Sequence, residues 1–327
     1  MRRGRHMGNC IAVDIGGTKM LVAEVREDGT IVNKLRFATG AISKEKKVKK
    51  LVEGVRCYER EIGWEHRIRP KKMGIGINDN IDPHGGVWIG YDDKEPIALR
   101  KQIEKEFDVV CHVDNDVKCT VIAENEFGEG KRCRNMIYLN IGTGLAAGMI
   151  VNGLLVRGSD EWAGEVGFMN FTGGKGERVE MLASGMALMA QAKKMISEYP
   201  DSILREKLTE TVTGWDVIEA ADKGDQMAVR ILDELVAMNA LMISNLTCVL
   251  SPEIVIIGGG LISGEGHLAE RIVENVTEKA KSHLERGIKI SGLDPAYAGL
   301  MGAAAIGLGF QGKYDNENMN EKEKKLW

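Results

Sequence analysis

Apolar positions along the chain fall into short runs broken by glycine, and one such arrangement occurs twice. Cys10 to Asp14 is an apolar strand that runs into Ile15-Gly16-Gly17-Thr18, then a second strand from Met20 to Val25, a turn at Asp28-Gly29 and a third strand from Thr30. Met136 to Leu139 runs into Asn140-Ile141-Gly142-Thr143-Gly144, then Leu145 to Val151, a turn at Asn152-Gly153 and Leu154 to Val156. Asp-Gly and Asn-Gly between apolar runs predict type I′ hairpins, in which both central residues take positive φ. The duplication predicts two homologous lobes.

Helical spacing fills the intervals. Val48, Leu51, Val52, Val55 and Ile62 form one apolar stripe through the lysine-rich stretch from Ser43, so its charges are read as a solvated face. Further helices are predicted over Pro96 to Phe107, Asp116 to Phe127, Val179 to Ile196, Gly214 to Asp222, Asp225 to Val249 and Glu265 to Leu284. Isolated strands at Lys72 to Ile77, Val109 to Val113 and Glu253 to Ile257 complete an α/β pattern. The tail from Lys313 is almost wholly polar and is expected to be a helix end or disordered.

Length and charge narrow the function. With 327 residues, 43% hydrophobic and 28% charged, the chain is long enough for two core-bearing domains. A net charge of −4 argues against wrapping nucleic acid or lying on an anionic membrane, so a small-molecule ligand is the expectation. The apolar stretch from Met136 to Val151 is interrupted by Asn140, Gly142, Thr143, Gly144 and Gly148 and is not read as a membrane span. The six cysteines show no C-x-x-C spacing and are expected to be reduced core thiols of a cytoplasmic protein. Met1 to His6 is basic without a following apolar region and does not read as a secretory signal.

Glycine matters where backbone N–H groups must approach phosphate oxygens. Asp14-Ile-Gly-Gly-Thr-Lys19 sets an acid, two glycines, a hydroxyl and a lysine within six positions, with a strand rather than a helix behind them, so it is not a P-loop. One such loop is as well explained as a hairpin; two loops point to phosphate binding, with Gly16 to Thr18 and Gly142 to Gly144 gripping it from two lobes and Asp14 near Mg²⁺, through water. Gly258-Gly259-Gly260 ends a buried strand, where it is either a plain turn or a close approach for a base or ribose. Val113-Asp114-Asn115-Asp116 stands at a strand end and helix start, where ligands of open α/β sheets bind. One polar residue there is a cap; three leave a carboxylate over to accept a proton, which the helix N-terminus favours in ionised form by roughly 0.3–1 kcal/mol. Glu165, between Gly164 and Gly167, is either a solvated turn residue or a carboxylate held for hydroxyl groups.

At these residues the sequence resembles the ROK family of the actin-like ATPase superfamily, over nearly its whole length. Asp14-Ile-Gly-Gly-Thr-Lys19 resembles the first phosphate loop, Asn115-Asp116 with Ala123-Glu124 and Gly128 the catalytic motif, and Ile141-Gly-Thr-Gly144 the second phosphate loop. Ala163-Gly-Glu165 resembles a sugar-binding segment and Ile257-Gly-Gly-Gly260 the nucleotide-side glycines. The resemblance implies a two-lobed actin-like (ribonuclease H-like) α/β fold with a duplicated mixed sheet and a cleft, divided into 1–114 plus about 301–327 and 115–300. It implies ATP and Mg²⁺ as cofactors, a sugar as partner and a homodimer. Asp116 becomes the general base for the 6-hydroxyl of an aldohexose or N-acetylhexosamine; Asn115, Glu165, Glu180 and Asn78 become sugar contacts. Gly16, Gly17, Thr18, Lys19, Gly142, Thr143, Gly144, Gly258, Gly259 and Gly260 become ATP contacts.

Two departures lie on the sugar side. The histidine that typically follows Ala-Gly-Glu is Phe168, and Met169 to Glu180 holds no cysteine, so no structural zinc is expected. The family's Pro-Gly after the Gly-Ile-Gly strand is Asn78-Asp79. A repressor is expected to carry a winged helix ahead of the first phosphate loop, and thirteen residues precede Asp14. A non-catalytic sugar sensor and an actin-like ATPase with a non-sugar acceptor are the remaining alternatives.

Overall fold

A computed structural model describes residues 8–16, 19–40, 44–88, 95–171, 176–207, 212–263 and 267–310. Met1 to His6, Gly17, Thr18, Glu265 and the tail from Lys313 lie outside them. The chain forms two compact units: one takes the residues up to Arg134, Asn152–Ala163 and the chain from Gly292, and the other is Asn135–Val151 with Gly164–Ser291. These bounds differ from the expected divisions at 114/115 and near 300, because the helix that follows Asn115 packs within the first unit, against the helix Ala298–Leu308.

In the first unit, strands β1 (Cys10–Ile15), β2 (Lys19–Val25), β3 (Ile31–Ala38), β4 (Lys72–Ile77) and β5 (Val110–Asn115) form a sheet in the order β3-β2-β1-β4-β5. β1 and β2, and β2 and β3, are antiparallel; β1, β4 and β5 run parallel. Strand periodicity sorts β1 between two cores. Ile11, Val13 and Ile15 join Leu51, Val55 and Tyr58 of helix α1 (Lys44–Glu61) and Ile103 and Phe107 of α2 (Leu99–Phe107). Cys10 and Ala12 turn the other way, and Asp14 continues that series. Helix α3 (Asp116–Glu126) follows β5 directly.

The second unit repeats the scheme. Strands β6 (Met136–Ile141), β7 (Leu145–Val151), β9 (Ile254–Gly258) and β10 (Ile288–Ile290), with β8 (Leu154–Leu155) from the Asn152–Ala163 segment, stand in the order β10-β9-β6-β7-β8, which from its other edge is the first sheet's order with each strand replaced by its counterpart. Here too the central strand is antiparallel to the next in sequence and parallel to the one that arrives later. Helices α4 (Glu180–Ala183), α5 (Gly185–Met195), α6 (Leu204–Lys207), α7 (Gly214–Asp222), α8 (Gln226–Leu250), α9 (Leu268–Asn275) and α10 (Glu278–Lys281) lie in this stretch. α8 buries Met227, Ile231, Leu235 and Ile243 at helical spacing and packs on α5, α7 and α9. The chain then returns to the first unit with α11 (Ala298–Leu308), whose Leu300, Ala303, Ala304 and Leu308 meet Cys10 and Ala12.

Three local expectations change. At the second hairpin Asn152 and Gly153 both have positive φ, as a type I′ turn requires, but at the first only Gly29 does. There Gly29 N donates to Arg26 O and Asp28 accepts from Thr30 N, so the turn is longer by the residues the aspartate draws in. The helix expected over Val179 to Ile196 breaks at Ser184, which caps α5 (φ −127°, ψ 173°). The one expected to end at Leu284 breaks before Thr277, which caps α10. Among the described residues no helix is long and apolar enough to cross a membrane.

Candidate active site

In the first unit the polar residues gather at the carboxyl ends of β1, β4 and β5. The Asp114-Asn115-Asp116 triplet divides into three roles. Asn115 Oδ1 accepts from Val117 N at 3.0 Å and Lys118 N at 3.3 Å, which makes it the N-cap of α3. Asp114, 3% exposed, takes Arg157 Nη2 on Oδ2 at 2.5 Å and Nη1 on Oδ1 at 3.4 Å. Arg157 also reaches Glu161 Oε2 at 2.7 Å, and Glu161 holds Lys118 at 3.2 Å, closing a network of two carboxylates and two cations. Asp116 remains. Its Oδ1 accepts from Val117 N at 2.9 Å, and it forms no ion pair with a described residue. Burial pushes its carboxyl above the ordinary range; backbone N–H groups oppose this, Asp79 adds to it and Lys47 subtracts.

Asp14 ends the series Cys10-Ala12-Asp14 and so faces the start of α11. A Cβ on Gly299 would lie 2.9 Å from all three carboxyl heavy atoms, so only glycine lets the helix come this near. Burial first, and the charge of Asp116 second, raise the Asp14 carboxyl to about 6, with Lys19 pulling the other way. Gly16 N donates to Lys19 O at 2.9 Å, which folds the first glycine loop back on itself; Gly17 and Thr18, its centre, are outside the described residues. Beyond β4, Asn78 is exposed, and Lys47 of α1 bonds its Oδ1 at 3.4 Å and pairs with Asp79.

The corresponding end of the second unit is built of backbone. Gly142 N donates to Gly144 O at 3.0 Å, closing the loop between β6 and β7. Gly185 N and Met186 N, the first amides of α5, donate to Gly142 O and Thr143 O at 2.8 and 3.1 Å. This is the reason α4 and α5 part at Ser184: the loop carbonyls take the N–H groups that a continuous helix would have used on itself. After β9, Gly259 has φ +100°, and a Cβ there would stand 2.6 Å from Ile141 O. Leu261 N closes the same corner onto Ile141 O at 3.1 Å, and Gly260 fronts open space. Segments 142–144, 185–186 and 259–261 therefore converge, with Gly258 against Tyr138 and Ser291 just behind.

Glu165 precedes a short 3₁₀ turn, Val166–Phe168, and Ala147 N donates to Gly164 O beside it at 2.8 Å. The Arg178 guanidinium lies 4.8 Å over the Phe168 ring. Glu180, expected among the sugar contacts, sits at the glycine loop: its Oε1 accepts from Leu145 N at 3.1 Å. Sequence reasoning did not foresee Lys47, Arg157, Glu161, Gly185 or Gly299. Only Gly185 had a local signal, the Ser-Gly step inside an apolar helix; the others take their roles from partners far along the chain.

Paired five-stranded mixed sheets of one topology, one ending in carboxylates and the other in glycine loops, define the two-lobed actin-like fold. Residues 10–309 match the profile of the ROK family, and the chain belongs to that family. It is 29% identical over 314 residues to a glucokinase of Thermotoga maritima, covering 90% of this chain and 96% of that protein. A xylose repressor of Caldicellulosiruptor bescii is 30% identical over 57% of this chain and 49% of its own length. Among solved structures, a ROK family glucokinase from Streptomyces griseus in complex with glucose and AMPPNP superposes with a TM-score of 0.72, at 26% identity, over 92% of this chain and 99% of that one.

Proposed function

We propose that the protein is an ATP-dependent sugar kinase that transfers the γ-phosphate to the 6-hydroxyl of an aldohexose or N-acetylhexosamine, with Asp116 as general base. The observation that carries this reading is the division of labour at the triplet. Asn115 is committed to the cap and Asp114 to Arg157, while Asp116 keeps a carboxylate, raised by burial, without a described ion-pair partner. A carboxylate so placed accepts the proton as the hydroxyl attacks, a contribution of about 10²–10⁴-fold in general-base catalysis. Asn78, Asn115, Glu165 and Glu180 are assigned to the sugar. Gly16 to Lys19, Gly142 to Gly144 and Gly258 to Gly260 are assigned to ATP, whose phosphates suit backbone N–H donors. Asp14, a carboxylate at a strand end with α11 close against it, fits a hard divalent cation or its water, so it is assigned to Mg²⁺. Bound with ATP, that ion supplies neutralisation of phosphate charge. Relatives named as glucokinases, and one solved with glucose and AMPPNP, support the same chemistry.

The test is ADP release from Mg-ATP against glucose, mannose, fructose, N-acetylglucosamine and N-acetylmannosamine, with Asp116→Asn alongside. One or more sugars should drive turnover in the wild type, and the variant should bind nucleotide without turning over. Sugar binding without sugar-stimulated ADP release would replace the kinase with a sensor, and sugar-independent ADP release would replace it with an ATPase of another acceptor.

A further inference from the structure

Lysines crowd the start of α1, and of Lys46, Lys47, Lys49 and Lys50 only Lys47 is buried. It lies on the stripe of Leu51, Val55 and Tyr58, where the helix pattern calls for an apolar residue. A buried ammonium requires partners, and it finds them past the end of β4, in Asp79 and Asn78. These two stand where the family resemblance leads one to expect Pro-Gly.

Register brings this corner to the base. β4 and β5 are parallel, with Ile77 opposite Asn115, so Asn78 and Asp116 are the residues that directly follow two adjacent strand ends, Asp116 as the first of α3. Asp116 feels both charges of the Lys47–Asp79 pair. A lysine ammonium only donates, so the bond from Lys47 settles which end of the Asn78 amide faces it: Oδ1 is turned to the lysine and the NH₂ group away. The Asn115 amide is fixed in the same sense by a different device, since its Oδ1 is occupied in capping α3. Asn78 and Asn115 thus each keep an NH₂ group as a donor, one in register with Asp116 and the other next to it in sequence.

We propose that Lys47 is a positioning residue for acceptor specificity: by holding Asn78 as a hydrogen-bond donor beside Asp116, it makes the site read the oxygen of a second hydroxyl, next to the one that is phosphorylated or elsewhere on the same neutral polyol. The inference rests on the sugar-kinase reading. A donor fixed in this way penalises an acceptor that lacks the matching hydroxyl, because the amide is then left unpaired.

The experiment pairs enzyme variants with monodeoxy analogues of whichever sugar the wild type phosphorylates. Asn78→Asp replaces the donor by an acceptor yet retains a partner for Lys47, so it should fold. With wild-type enzyme, one analogue should lose about tenfold or more in kcat/KM, the worth of one hydrogen bond. Asn78→Asp should lose a similar factor on the parent sugar and show no further loss on that analogue, with the KM for ATP unchanged. Lys47→Met, checked for folding by thermal melting, should narrow the same parent-to-analogue ratio. Retention of the wild-type ratio by Asn78→Asp, or an equal rise in the KM for ATP, overturns the inference while leaving the kinase reading in place. Absence of any sugar turnover in the wild type removes the kinase reading and this inference with it.

Discussion

The two sheets share a strand order but not the kind of group at their strand ends. At the strand ends of the first, side chains carry the polar groups: Asp14, Asn78, Asp79, Asp114, Asn115 and Asp116, with Lys47 and Arg157 holding some of them. At the strand ends of the second, the corresponding positions are backbone: Gly142 to Gly144, Gly185, and the run from Gly259 to Leu261, joined by main-chain hydrogen bonds. A duplicated sheet supplies the same platform twice, with carboxylate and amide side chains at one set of strand ends and hydrogen-bonded main chain at the other.

The largest expected effect sharpens the first half of that contrast. Asp116→Asn should lower kcat by about 10³-fold while leaving nucleotide affinity within about twofold, measured by single-turnover kinetics and calorimetry; normal turnover would remove the proton-accepting role from this end. Next is Asp14. Its folded-state carboxyl is raised to about 6 from 3.8, so the native state binds the proton more tightly than the unfolded chain. Its burial therefore costs nothing below pH 3.8, costs more as pH rises towards 6, and costs its full amount above that. Asp14→Asn should stabilise the apoprotein at about pH 7.5 by up to about 3 kcal/mol and by nothing near about pH 3.5, while sugar-stimulated ADP release falls; equal shifts in melting temperature at both pH values would contradict this.

Arg157→Met tests whether the first end depends on paired side chains. It leaves Asp114 buried without its cation, and because Arg157 itself is 39% exposed the loss should be about 2 kcal/mol in urea unfolding, below the range for a fully buried pair. Smallest is Gly259→Ala, which places a Cβ 2.6 Å from Ile141 O at a positive φ. It should weaken ATP about tenfold and leave sugar affinity alone. A change in sugar affinity instead would break the comparison, since the stretch from Gly258 to Gly260 is assigned to ATP and not to the sugar.

Much of this is legible in local pattern. β4, β7 and α7 occupy the residues that their apolar spacing marks, and α7 begins at a capping box in which Thr213 and Asp216 bond each other's backbone N–H. The Asp-Asn-Asp triplet announces a cap with a carboxylate to spare. α11 is not legible: Gly302, Ala303, Ala304, Ala305 and Gly307 are buried all round, so the helix has no polar face to set a period against. β10 is three residues with two exposed, too short to alternate. The charged pairs are silent for another reason. Asp79 meets Lys47 across 32 residues and Asp114 meets Arg157 across 43, and neither spacing is a motif. Gly299 is the same case in steric form, a glycine whose meaning is the carboxyl group of Asp14.

The position of α11 in the chain bears on synthesis as well as packing. The second unit is nearly one continuous stretch, from Gly164 to Ser291 with a single earlier hairpin, whereas the first needs residues 298–308 to cover Cys10 and Ala12. As a growing chain emerges, the first unit is begun before the second and completed after it, and its inner sheet face waits until residues 298–308 have been made. Until then the small-residue surface of β1 and β4 is open to any other apolar segment, which makes the nascent first unit the place where a holding chaperone would act.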